Sequence, residues 1–117
     1  MMTDLYVIEQ TVKDDNYFVS TIRLNASHPV YKGHFPGVPV TPGVCLLHII
    51  RDCISGVLHK TIRYKEISNC KFLAVVNPVE QERLSISFSL NAAYQLQATA
   101  HAGDKPVLKL KATLTEV

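Results

Sequence analysis

Three stretches near the C-terminus alternate apolar and polar residues with a period of two, and they follow one another so closely that they must be neighbours in one sheet. In residues 84–90, Leu84, Ile86, Phe88 and Leu90 alternate with Ser85, Ser87 and Ser89. In residues 94–100, Tyr94, Leu96, Ala98 and Ala100 alternate with Gln95, Gln97 and Thr99. In residues 108–114, Leu108, Leu110, Ala112 and Leu114 alternate with Lys109, Lys111 and Thr113. Period two sends successive side chains to opposite faces, so each stretch is a strand with one buried face. The connections, Asn91-Ala92 and Gly103-Asp104, are too short for a crossover and predict an antiparallel meander. A further strand is expected over 65–76, ended by Pro78. Residues 5–10 and 17–24 read as a hairpin across Asp14-Asp15-Asn16.

Only one segment reads as a long helix. Thr41 is expected to cap it, Pro42 suits its first position, and residues 44–58 supply its body. Val44, Leu46, Leu47, Ile49, Ile50, Ile54, Val57 and Leu58 wrap most of its circumference, which predicts a buried helix. The polar remainder, His48, Arg51, Asp52 and Ser55, falls on one narrow stripe at spacings of three, four and seven. The expected class is therefore α+β, an antiparallel sheet around one long helix. With 117 residues, 47% hydrophobic and 19% charged, residues 1–117 are expected to form a single domain.

Charge and composition narrow the function classes. Twelve Lys+Arg against ten Asp+Glu leave a net charge of +2, too weak a bias to suggest nucleic-acid binding. No apolar run approaches the ~18 residues of a membrane span, and the acidic start MMTDLYVIEQ is not expected to be a signal peptide. Three cysteines, Cys45, Cys53 and Cys70, lack metal-ligand spacing and fit a reduced, cytoplasmic chain. Cys45 and Cys53 are expected to pack as small apolar residues. With no Gly-rich phosphate loop and no nucleophile elbow, neither a metal nor a cofactor is expected. Lys60, Arg63, Lys65 and Lys71 form a loose basic region after the helix, read as solvated positions.

The most informative segment is NASHPVYKGHFPGVPVTPG, residues 25–43. It holds four of the six prolines and three of the five glycines. A long proline-stiffened loop inside a small domain is usually functional or disordered, and Val30, Tyr31, Phe35 and Val38 argue for order. The loop delivers His34 close to the helix N-terminus, where its imidazole would suit acid–base work. Gly43 and Val44 would present backbone N–H groups without an intrahelical partner, able to stabilise a developing oxyanion. His48 lies on the polar stripe, and Asp52, one turn later, could accept a bond from its ring and favour its charged form. Each of these also has a plain reading: an exposed loop histidine, a solvated or core stripe histidine, an ordinary i,i+4 contact, and the free amides that every helix has. His28, His59 and His101 have no partners that the sequence reveals.

The run GHFPGVPVTPGV, residues 33–44, resembles the signature of the β-hydroxyacyl-acyl-carrier-protein dehydratases of FabZ and FabA type, roughly GHFPGxPxxPGV leading into a central helix. Gly33, His34, Phe35, Pro36, Gly37, Pro39, Pro42, Gly43 and Val44 all match it, and NCKFLAVVNPV, residues 69–79, is similar to the family's KF…P segment. The resemblance implies a hotdog fold, a curved antiparallel sheet wrapped around the helix. It also implies a dimer with acyl tunnels at its interface and an acyl thioester on an acyl carrier protein as substrate. His34 would then act at the substrate α-carbon, and the Gly43 N–H would polarise the thioester carbonyl. Phe35, Pro36, Gly37 and Val44 would belong to the substrate-binding site.

One departure is prominent. The family's helix carboxylate, which comes from the other protomer and serves the leaving β-hydroxyl, is Glu in the FabZ type and Asp in the FabA type; it falls on His48, and its following glutamine falls on Asp52. The family's Pro-Gly-Asp after the long strand is also lost, since Pro78 is followed by Val79 and Glu80. Two accounts stand. In the first, an imidazolium at His48, supported by Asp52, protonates the leaving hydroxyl of a variant (3R)-hydroxyacyl-thioester dehydratase of fatty-acid or polyene-type synthesis. In the second, dehydration is lost, and the chain is a non-catalytic hotdog subunit, an acyl-binding partner of an active dehydratase, or a hotdog thioesterase. The retained His34 and oxyanion turn favour the first. The assembly expected is a homodimer or higher homo-oligomer, with a heterodimer of related hotdogs as the alternative.

Overall fold

Which face each strand buries follows from its alternation, and the alternation decides where the helix sits. The computed structural model describes residues 5–15, 17–32 and 40–117. Its elements run β1 (Tyr6–Asp14), β2 (Tyr17–Leu24), a short 3-10 turn (Pro29–Lys32), α1 (Gly43–Leu58), β3 (Ile62–Phe72), β4 (Arg83–Leu90), β5 (Gln95–Ala102) and β6 (Lys105–Glu116). The six strands form one antiparallel sheet in the order β1-β2-β4-β5-β6-β3. The meander β4-β5-β6 and the hairpin β1-β2 are as expected. Leu84, Ile86 and Phe88 of β4, Leu96, Ala98 and Ala100 of β5, and Leu108, Leu110, Ala112 and Leu114 of β6 are all buried. They meet Leu46, Ile49, Ile50, Cys53 and Ile54 of α1 in one core. Each fully buried Leu or Ile contributes about 1.5–3 kcal/mol of transfer free energy, so this face of α1 is what holds the helix on the sheet.

The turns show why the meander closes where it does. Gly103 adopts φ 63° in the two-residue connection between the paired Ala102 and Lys105, a conformation that glycine takes without a Cβ clash. Asp15 does the same at φ 55° between the paired Asp14 and Tyr17.

Several boundaries differ from expectation. Tyr94 is not the first residue of β5. It sits at φ 60° in a turn where the Asn91 side chain accepts from the amides of Ala93 and Gln95. The long strand β3 begins at Ile62 and ends at Phe72, before Pro78 is reached; beyond it, the Leu73 amide still bonds the Val107 carbonyl. Thr41 does not cap α1. The helix begins at Gly43, so Pro42 is the N-cap residue and its ring has no group to make a cap bond, while the Thr41 hydroxyl lies 3.0 Å from the Tyr31 hydroxyl. The helix is buried on one side only: Leu47, Val57 and Leu58 are half-buried and Val44 is 67% exposed. His59 ends the helix in a left-handed conformation, its amide donating to the Ser55 carbonyl. His28 is buried, and Lys60 pairs with Glu116 at 2.9 Å.

Candidate active site

Two features of α1 carry the candidate residues, its N-terminus and its polar stripe. At the N-terminus the extended Pro42 leads into Gly43, so the amides of Gly43 and Val44 lie ahead of the first intrahelical bonds. The Phe72 ring packs directly on this turn. A Cβ built on Gly43 would lie 2.6 Å from Phe72 Cε1, so only glycine allows the ring to approach. The entry to the helix is tied to the sheet, since the Thr41 amide donates to the Val76 carbonyl at 2.8 Å.

One turn on, the stripe forms a connected polar set. Arg51 Nη2 lies 2.8 Å from His48 Nδ1. His48 Nε2 lies 3.4 Å from Asp52 Oδ2, an i,i+4 pair. The Tyr6 hydroxyl of β1 donates to the same Asp52 oxygen. Burial, and secondly the bond to Asp52, push the Tyr6 phenol far above its ordinary range, so it remains a donor at any working pH. On the other side, the Tyr64 hydroxyl of β3 donates to the Leu47 carbonyl at 2.7 Å, and burial raises its phenol strongly as well. Behind the stripe, burial pushes the Cys53 thiol up to about 11. Cys53 is thus a neutral packing group, not a nucleophile.

The structure therefore brings Gly43, Val44, His48 and Asp52 onto one helix, with His48 five residues after Gly43. His34, Phe35, Pro36 and Gly37 lie outside the described residues. Among the described residues no three His, Cys, Asp or Glu side chains gather as a metal site. An apolar cavity of about 270 Å³, lined by Phe18, Ile54, Val57, Leu58, Phe88 and Tyr94 among others, opens toward the C-terminal end of α1, away from Gly43.

Tyr6, Arg51, Tyr64 and Phe72 were not legible as parts of this site. Arg51 had a signal, since it stands three residues after His48 on the same stripe. Tyr6 is 46 residues from Asp52, and only the path of β1 beside α1 brings the two together.

A family model described as ApeI-like, ApeI dehydratase, matches residues 9–108. Among curated proteins, the 3-hydroxyacyl-[acyl-carrier-protein] dehydratase FabZ of Sulfurovum sp. (strain NBC37-1) is 29% identical over 119 aligned positions, covering 86% of this chain and 79% of the relative. The FabZ of Koribacter versatilis (strain Ellin345) is 29% identical over 109 positions, covering 85% and 69%. Among solved structures, a chain of the dehydratase heterocomplex ApeI:P from Xenorhabdus doucetiae superposes with a TM-score of 0.78 at 17% identity, covering 92% of this chain and 96% of that one. That likeness establishes the fold: six antiparallel strands and one helix in the hotdog arrangement expected.

Proposed function

This chain belongs to the ApeI-like dehydratase family, a family of hydro-lyases, and from that premise we propose that it is a variant (3R)-hydroxyacyl-thioester dehydratase acting on carrier-bound chains in fatty-acid or polyene-type synthesis. The observation that carries the reading is the His48–Asp52 pair on α1, the helix that begins at Gly43, with Asp52 held by Tyr6 of β1. In the proposed reaction His34 removes the α-proton, and the Gly43 amide stabilises the charge that develops on the thioester oxygen. The His48–Asp52 pair gives a proton to the β-hydroxyl, which leaves as water while the Cα–Cβ double bond forms. Phe35, Pro36, Gly37 and Val44 complete the substrate site. Residues 1–117 act as one cytoplasmic hotdog domain. No helix among the described residues is long and apolar enough to cross a membrane.

The proposed assembly is a homodimer joined along β3. This strand is a sheet edge, and Ile67, Phe72 and Leu73 on or beside it are between 41% and 54% exposed. An edge with such residues is a template for pairing. Light scattering should give about twice the 13.0 kDa chain mass; a stable monomer at micromolar concentration would remove any shared site.

A second reading is supported by two observations, the histidine at position 48 and the likeness to a chain from a heterocomplex. In it the chain is a non-catalytic partner of an active hotdog. The test is an assay of 3-hydroxyacyl-carrier substrates with the chain alone. The first reading expects formation of the 2-enoyl thioester, abolished in a folded His34→Ala variant. Activity equal to wild type in that variant would remove His34 from the chemistry.

A further inference from the structure

The contact between Arg51 and His48 limits where the ring can carry its proton. A guanidinium has five N–H donors and no lone pair. At 2.8 Å the bond can run only from Arg51 Nη2 to an unprotonated Nδ1. The single proton of the neutral ring is then on Nε2, the nitrogen that faces Asp52 Oδ2 at 3.4 Å. We propose that Arg51 is a positioning residue that fixes His48 as the neutral Nε2–H tautomer, with Nδ1 capped by the guanidinium. The inference rests on the dehydratase reading only for the role it gives His48; the tautomer itself needs no activity.

The groups around the ring act in opposite directions. Arg51 opposes a second proton, because that proton must displace the guanidinium from Nδ1 and would place two cations in contact. Asp52 favours it, and Asp52 is itself held by the Tyr6 hydroxyl from β1. Two further neighbours among the described residues add no charge near neutrality. Tyr64 of β3 commits its hydroxyl to the Leu47 carbonyl, and burial keeps the Cys53 thiol protonated. Because Nε2 faces Asp52, the nitrogen left to serve a leaving hydroxyl is Nδ1, which the guanidinium occupies. Proton delivery to substrate therefore requires Arg51 to let go. Arg51 acts through His48 without touching the reacting atoms.

The test is nitrogen NMR of the full chain labelled in histidine, with the His48 signals assigned by their loss in His48→Gln. Wild type should show the Nε2–H pattern above the ring's titration; an Nδ1–H pattern would overturn the proposal without any variant. In Arg51→Met the guanidinium no longer caps Nδ1, so the Nδ1–H pattern should appear beside the Nε2–H one. Arg51→Lys keeps a positive charge and a donor, so it should keep the Nε2–H pattern of wild type. An unchanged pattern in Arg51→Met, or its loss in Arg51→Lys, would contradict the assignment. A chain without dehydratase activity would still give the tautomer, so failure of the functional reading is told apart from failure of this one.

Discussion

The two sides of α1 are built from residues one or two positions apart, yet they answer to different physics. On the sheet side, Ile49 and Ile50 are fully buried and Leu46, Cys53 and Ile54 nearly so. Nothing there is titratable near neutrality, and what counts is volume and fit. On the stripe side, His48, Arg51, Asp52 and Ser55 are half-buried, and each contact of the network ends on a polar atom. The comparison separates two kinds of damage. A change on the sheet side should cost stability and leave the pH profile alone. A change on the stripe should alter chemistry in a chain that still folds.

The largest expected effect is on the stripe. His48→Ala should lower dehydration by about 10²–10⁴, the usual contribution of a positioned acid or base, with an unchanged unfolding midpoint. Loss of activity accompanied by unfolding would break the separation. The matching change on the other side is Ile50→Ala, expected to cost about 2–5 kcal/mol in denaturant unfolding. The fraction that remains folded should keep its pH profile.

Next in size is Tyr6→Phe, which deletes only the donor to Asp52. A hydrogen bond to a partly exposed carboxylate is expected to show as a roughly tenfold loss in kcat, with KM little changed. An effect confined to stability would make Tyr6 a packing residue. The smallest effect lies outside both sides of the helix. The Arg83 guanidinium, and then that of Arg23, hold the Glu9 carboxyl below its ordinary value of 4.5. A lowered carboxyl contributes stability above that value and loses it as pH falls through the lowered one. Glu9→Gln should therefore remove a small acid-side slope from the unfolding curve and leave neutral-pH activity alone.

The same contrast explains what the sequence could reveal. The meander was legible because period two is a local signal, and Leu84, Ile86 and Phe88 bury as the alternation requires. The His48–Asp52 pair was legible because i,i+4 spacing on a helix is also local. Tyr94 was misplaced because the Asn91 side chain bends the chain before β5 starts. The Thr41 cap failed because the helix begins at Gly43, which leaves Pro42 as the N-cap residue. Tyr6 and Phe72 were invisible as site residues for a tertiary reason. Their contacts with Asp52 and Gly43 exist only once β1 and β3 are laid beside α1. The one-sided burial of the helix was hidden by its composition, since Val44 reads as core and stands 67% exposed.

The central claim is the proposal that His48 with Asp52 does the work that the dehydratase resemblance assigns to a helix carboxylate. Dehydration of a 3-hydroxyacyl-carrier thioester by wild type, compared with the double variant His48→Glu/Asp52→Gln, tests it most directly. Changing both positions avoids setting a new Glu one turn from Asp52, where like charges would disfavour its ionised form. The account predicts measurable turnover by wild type. An inactive wild type beside an active double variant would contradict it, and would mean that His48 disabled the site.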